Sequence, residues 1–150
     1  MRQVHFSELP SLVGQDVGHS DWFHITQQET NDFADVTRDH EWIHVDVERA
    51  NREFGGPIAH GYHVLCLLPH FMEQILKIDG VRNGLNYGLN NLRFTNMVRV
   101  GKRVRAHQKI ISIEPRADGG VMMKSAYTIE IEGEARPACV TEALFILYGE

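Results

Sequence analysis

The chain is poor in cysteine, in cations and in long apolar runs, and each shortage removes a class of protein. Cys66 and Cys139 are its two cysteines. They match no paired metal-binding spacing, and in a domain of this size they suggest reduced thiols in the cytoplasm rather than a disulfide framework. Lys and Arg number 15 against 20 Asp and Glu, a formal charge of −5. That balance argues against general affinity for nucleic acid. No apolar run approaches the ~20 residues of a membrane span, and the N-terminal "MRQVHFSELPSLVGQDV" lacks the apolar core of a signal peptide. Internal repeats, low-complexity tracts and linkers are also missing. What is there is 150 residues, 43% hydrophobic, with nine histidines. This suits a single globular domain (1–150) that buries roughly 70% of its unfolded surface.

The first half reads as helix-rich and the second as strands. "HSDWFHIT" (19–26) alternates as a first strand. Thr26 and Glu29 form a T-x-x-E capping box, which predicts a helix over 26–36. Asp46 can cap a short helix, "VERANREF", that Gly55 and Gly56 would end. The stretch after Pro57 is apolar almost all round from Val64 to Leu68, which predicts a buried helix over 61–77 with a kink near Pro69. From Leu85 the period changes. "GLNYGLNNLRFTN", with a glycine that hints at a bulge, "VRVGKRVRAHQKIISIEP", "VMMKSAYTIEIEG" and "ARPACVTEALFILYG" read as four strands, the middle two joined by the turn "RADGG". The fold class is α+β: one buried helix wrapped by a curved antiparallel sheet.

Chemistry concentrates in "DVTRDHEWIHVD" (35–46), where Asp39 and His44 stand five positions apart. Five residues of α-helix turn through about 500°, leaving the two roughly 140° out of phase. A strand sends an odd separation to opposite faces. Convergence therefore requires a turn or loop. Carboxyl and imidazole groups ionise near ~4 and ~6.5, so such a pair can hold one water in complementary protonation states. The histidines also admit a metal reading, since His40 and His44 are i,i+4 and His60 and His63 are i,i+3. A loop at 39–44 takes His40 and His44 off a common helical face, so no metal is expected.

Phe33, Val36, Thr37, Asp39, Ile43, His44 and Ala50, joined to "FGGPIAHG" (54–61) and "NYGLNNLRF" (86–94), resemble the MaoC-like dehydratases and (R)-specific enoyl-CoA hydratases over about residues 20–148. The resemblance implies a hot-dog fold. It also implies interconversion of trans-2-enoyl and (R)-3-hydroxyacyl thioesters, with coenzyme A or phosphopantetheine as part of the substrate and no separate cofactor. By resemblance Asp39 and His44 are the catalytic pair, and which of them takes the water proton stays open. The family places its oxyanion donor at the glycine matching Gly61. Gly61 opens the buried helix, where free N–H groups and the helix dipole favour developing negative charge. Three positions depart from the common motif: Arg38 stands for the usual Gly, and Glu41-Trp42 for Asn-Pro. A Trp before the Ile-His pair is similar to the nodulation-protein N-like branch. Arg38 is strained if that position needs a positive φ. Where some family members carry a substrate-contacting serine in the buried helix, Pro69 stands, with Cys66 the nearest comparable side chain.

Trp42, His60, Tyr62 and Cys66 are further candidates for contact with substrate. "VRVGKRVRAHQK" places Arg99, Arg103, Arg105, His107 and Lys109 on one face. The default is a solvated face, and the alternative is that Arg99 and Arg103 meet the phosphates of an acyl carrier arm. Short hot-dog chains resemble dimers whose sheets join edge to edge, so a homodimer is expected. Two rival functions remain: a hot-dog thioesterase, for which the buried helix offers only Glu73, and a non-catalytic acyl-thioester-binding or interaction domain.

Overall fold

The computed structural model describes residues 1–150. In chain order the elements are strand β1 (Arg2–His5), a 3-10 helix (Phe6–Leu12), strands β2 (Asp16–His19) and β3 (Phe23–His24), helices α1 (Gln27–Thr37), α2 (Trp42–Val45), α3 (Val47–Glu53), α4 (Gly61–Cys66) and α5 (Leu68–Ile75), then strands β4 (Leu76–Asp79), β5 (Val81–Phe94), β6 (Arg103–Pro115), β7 (Val121–Ile131) and β8 (Cys139–Gly149).

The six-stranded antiparallel sheet runs β2-β6-β7-β8-β5, with β3 also pairing β6, while β1 and β4 form a separate parallel pair. Alternation decides which face of the sheet is inside. On β6, Val104, Ala106, Gln108 and Ile110 are buried, and on β7 so are Met123, Ser125, Tyr127, Ile129 and Ile131. Helix α5 buries Leu68, Phe71 and Ile75, a helical spacing that makes one apolar stripe. These side chains join one core cluster with Val64, Ala143 and Phe145. Phe71 is fully buried, and such a side chain contributes about 1.5–3 kcal/mol.

The capping box holds as read. Thr26 Oγ1 accepts from Glu29 N, and Glu29 Oε2 accepts from Thr26 N at 3.2 Å. Asp46 caps α3 by accepting from Arg49 N at 3.0 Å, and Gly55 and Gly56 follow that helix at φ +71° and +116°. The bulge expected in β5 lies where its register with β8 slips between Asn86 and Gly88.

Four sequence expectations need correction. The buried helix over 61–77 is two helices that meet at Leu67, with Pro69 in the first turn of the second. Proline has no N–H to bond there, so the chain restarts a helix at the point where a continuous one would lose a hydrogen bond. Residues Leu76–Asp79 then extend and pair with β1, so the helix ends before 77. The strand over 19–26 is two short pieces, β2 and β3, that both pair β6. The long strand from Val98 begins at Arg103. Val98 and Val100 bond instead to Ala59 and Pro57, which ties 98–100 to the segment leading into α4. The N-terminal strand, the 3-10 helix and β4 carried no strong period. No helix is long and apolar enough to cross a membrane.

Candidate active site

Helix α1 ends at Thr37, and Arg38 turns the chain with φ 68°, ψ 15°. A left-handed residue is a common helix stop, and glycine fills it most cheaply. Arg38 takes that conformation and donates from Nη1 to Asp35 O at 2.9 Å. The turn delivers Asp39 to an irregular segment, and the chain re-enters one helical turn, α2, that carries His44. The loop reading is therefore correct for Asp39 and corrected for His44. A helix, a left-handed stop and a second short helix together produce the convergence.

One carboxylate oxygen of Asp39 and one ring nitrogen each of His44 and His60 lie within 4.8 Å of one another. His44 is 7% exposed and His60 2%, whereas the Asp39 side chain is half exposed. His44 Nδ1 lies 2.7 Å from Ile58 O. A carbonyl can only accept, so Nδ1 carries the hydrogen, and in the neutral ring Nε2 keeps its lone pair. Gln27 Nε2 donates to His44 O at 2.8 Å, which fixes the same residue from the α1 side. His60 Nε2 lies 2.9 Å from Asp39 O and must be the protonated nitrogen for the same reason.

The His44 and His60 rings stack with centroids 3.8 Å apart and 23° between planes. Phe33 lies beside His60 and His63, with its ring 4.9 Å from the first and 5.1 Å from the second. Burial pushes the His60 and His63 imidazoles below their ordinary pKa, His60 against the opposing pull of the Asp39 carbonyl and carboxylate, His63 against that of Glu29. Asp39, His44 and His60 have metal-ligand chemistry, yet His60 Nε2 spends its hydrogen on Asp39 O. Ligation through that atom would require a change of tautomer and the loss of a buried hydrogen bond.

Gly61 opens α4, so its N–H has no carbonyl one turn back within the helix. A Cβ at Gly61 would meet the Phe94 ring at 3.2 Å, which explains why the position carries no side chain. On one side of Gly61 is a cavity of about 410 Å³ lined by Ala59, Phe94, Met97 and Arg136. One turn along the helices, Leu65, Cys66, Leu68 and Pro69 line a more apolar cavity of about 370 Å³ against β5 and β8.

The other sequence candidates scatter. Tyr62 is 66% exposed and meets Phe94 edge-on at 5.7 Å. Cys66 lines the apolar cavity. Trp42 packs against Phe54 and under the Arg49 guanidinium, 4.1 Å from its ring. Arg99 donates to Gly56 O at 2.5 Å and lies over Phe54, and Arg103 forms an ion pair with Glu132 across the sheet. Neither arginine joins the Asp39–His44–His60 group. Sequence reasoning passed over Gln27, Ile58 and Arg136. Ile58 acts through its carbonyl, for which no residue type is a signal, while Gln27 sits one residue past the capping threonine that was read.

A sheet packed on a central helical segment, with an acid and an imidazole beside the helix start, defines the hot-dog hydratase class. The chain belongs to the MaoC-like domain family, whose model matches residues 8–130. It is 48% identical over 139 residues to 3-hydroxyacyl-thioester dehydratase Z of Mycobacterium tuberculosis strain H37Rv, covering 92% of both chains. It is 41% identical over 150 residues to nodulation protein N of Rhizobium meliloti, covering 92% of this chain and 88% of that one. An unliganded R-hydratase from Pseudomonas aeruginosa has a similar fold, with a TM-score of 0.70 over 92% of this chain and 83% of its own at 24% identity.

Proposed function

We propose that the protein adds water to trans-2-enoyl thioesters to give (R)-3-hydroxyacyl thioesters, and runs the reverse dehydration. The observation that carries this reading is the tie from His44 Nδ1–H to Ile58 O, which leaves Nε2 as the basic nitrogen of a buried imidazole beside the Asp39 carboxylate. Two hydrogen bonds of about 2.8 Å to one bridging water span a gap of this size comfortably. In hydration the water oxygen bonds to the β-carbon while His44 Nε2 takes one water proton. Asp39 accepts the other water O–H, which orients the attack, and its charge steadies the imidazolium. The π electrons move onto the thioester oxygen as an enolate, which the Gly61 N–H stabilises. The α-carbon then takes the proton that His44 holds, and the ring returns to neutral. The thioester activates its own α-position, so the chemistry asks for no metal or redox group.

The apolar cavity beside α4 and α5 suits the acyl chain, and the cavity lined by Phe94, Met97 and Arg136 suits the carrier arm, either of coenzyme A or of phosphopantetheine on a carrier protein. Arg136 makes this a better phosphate contact than Arg99 or Arg103, whose guanidinium groups are engaged elsewhere. We further propose a homodimer in the cytoplasm. Strand β5 pairs only β8, and its Leu85, Tyr87 and Leu89 are exposed, an edge that a second copy would cover. Sedimentation at a mass of two chains supports this, and a monomer at micromolar concentration contradicts it.

The test is loss of enoyl absorbance on adding crotonyl-CoA and longer enoyl-CoA thioesters, with chiral analysis of the product. Turnover to the (R)-alcohol is the expected result. Release of free thiol from saturated acyl-CoA would favour a thioesterase, and inactivity on every chain length would favour a binding domain.

A further inference from the structure

We propose that His60 is a positioning residue for this reaction: it fixes Asp39 through a hydrogen bond to the Asp39 backbone carbonyl and gives His44 the flat surface on which its ring is set. The proposal rests on the hydratase reading, and the geometry behind it stands apart from that reading.

Asp39 sits just past a left-handed turn, and its own local ties are long, although Arg38 and His40 on either side each reach Asp35 at 2.9 Å. Asp39 N reaches Thr37 Oγ1 at 3.4 Å, and Glu41 N reaches Asp39 Oδ1 at 3.4 Å. Both are at the edge of hydrogen-bond range, whereas His60 Nε2–H meets Asp39 O at 2.9 Å. His60 can serve as an anchor because it is itself held. It occupies the N-cap position of α4 with its carbonyl accepting from Val64 N at 3.2 Å, its neighbour Ala59 donates to Val98 O at 2.8 Å, and only 2% of its surface is exposed.

His60 Nδ1 is buried and has no hydrogen-bond partner. A residue kept for packing alone would not carry that lone pair, since phenylalanine fills similar space without it. The ring's use must therefore lie in its other nitrogen and its faces. One face stacks on His44 at 3.8 Å and Phe33 lies 4.9 Å away. Fixing the plane of the His44 ring while Ile58 O fixes its rotation leaves Nε2 one direction to point.

The titratable groups around His60 are Asp39 and His40 on the loop, His44 on α2 and His63 on α4. Burial opposes a charge on His60, and a proton on His44 opposes it further. His60 therefore stays neutral while His44 cycles its proton, and the Asp39 tie persists through turnover.

The experiment compares His60→Phe, which keeps a ring and removes the donor, with His60→Gln, which keeps a donor at similar reach and removes the ring. His60→Phe is expected to lower kcat about tenfold or more while KM changes by less than about threefold, because the ring is buried and acts through Asp39 and His44. His60→Gln is expected to fall between that variant and wild type, faster than His60→Phe because a donor to Asp39 O is restored and slower than wild type because His44 loses the ring it stacks on. An unchanged kcat in His60→Phe, a loss confined to KM, or a His60→Gln no faster than His60→Phe would overturn the proposal. Nitrogen-15 spectra of wild type supply a second reading that needs no variant to fold and no substrate. His60 is expected as the neutral Nε2–H tautomer at pH 7, and an Nδ1–H tautomer or an imidazolium would overturn the proposal. Absence of turnover in wild type would fail the hydratase reading alone, leaving the spectra to decide the role of His60 as the anchor of Asp39.

Discussion

The Nδ1–H of His44 points at the carbonyl oxygen of Ile58, 2.7 Å away, and this contact links α2 to the segment that leads into α4. The backbones meet as well, with Ile58 N donating to Ile43 O at 3.0 Å. The contact does two jobs, one structural and one chemical. His44→Asn and His44→Ala separate them. An asparagine amide can replace Nδ1–H but offers no base, so His44→Asn is expected to unfold close to wild type. His44→Ala leaves a buried carbonyl short of a partner and should lose about 1–3 kcal/mol in urea unfolding. Both variants should turn over slowly. Equal stability of the two would show that the Ile58 contact carries little weight.

Gly61→Ala tests the helix start. The added Cβ would sit 3.2 Å from the Phe94 ring, a distance the ring must yield to accommodate. The expected outcome is a cost of about 1–3 kcal/mol and a lowered kcat, because the same methyl hinders approach of the developing enolate to the Gly61 N–H. Adding Phe94→Ala should recover stability beyond that of a simple sum of the two changes. Strict additivity between Gly61 and Phe94 would contradict the close contact.

Arg38 holds a left-handed conformation at φ 68°. A side chain there costs roughly 1–2 kcal/mol, and glycine avoids it while losing more entropy on folding. Arg38→Gly is expected to be as stable as wild type or more stable by up to ~1 kcal/mol, with kcat unchanged. A clear destabilisation would mean that the Arg38 bond to Asp35 O outweighs backbone strain.

Stability should fall on mild acidification. Burial lowers the pKa of His60 and His63 in the fold, whereas both return to about 6.5 when unfolded. Below that value the unfolded chain binds more protons, so the contribution of these rings is complete above pH ~6.5 and is lost as pH falls below it. Melting temperatures between pH 7.5 and 5 should show the decline, and His63→Phe, which keeps the stack on Phe33, should flatten it. A slope unchanged by that substitution would contradict the assignment.

Local chemistry made much of this architecture legible. Thr26 and Glu29 announced α1, Asp46 announced α3, and the alternation from Arg103 to Ile131 announced the inner face of the sheet. The family motif brought Asp39, His44 and Gly61 forward together. What escaped depends on contacts distant in sequence. Val98 and Val100 alternate like a strand but bond to the 57–59 segment, and Leu76–Asp79 leaves helix because β1, far away in sequence, offers it a partner. The role of Ile58 lies in a backbone oxygen, which has no sequence signature, and His60, though part of the "IAHG" segment, acts through its distance to another carbonyl.

The central claim is that Asp39 and His44 act on one shared water. Its most direct measurement is a double-mutant cycle on kcat/KM for crotonyl-CoA, using Asp39→Asn, His44→Asn and the pair. Each single change is expected to cost ~10² or more, and the pair little beyond the worse single change, because groups that serve one step fail together. Losses that multiply to about 10⁴ or more, or single variants as fast as wild type, would contradict a shared water.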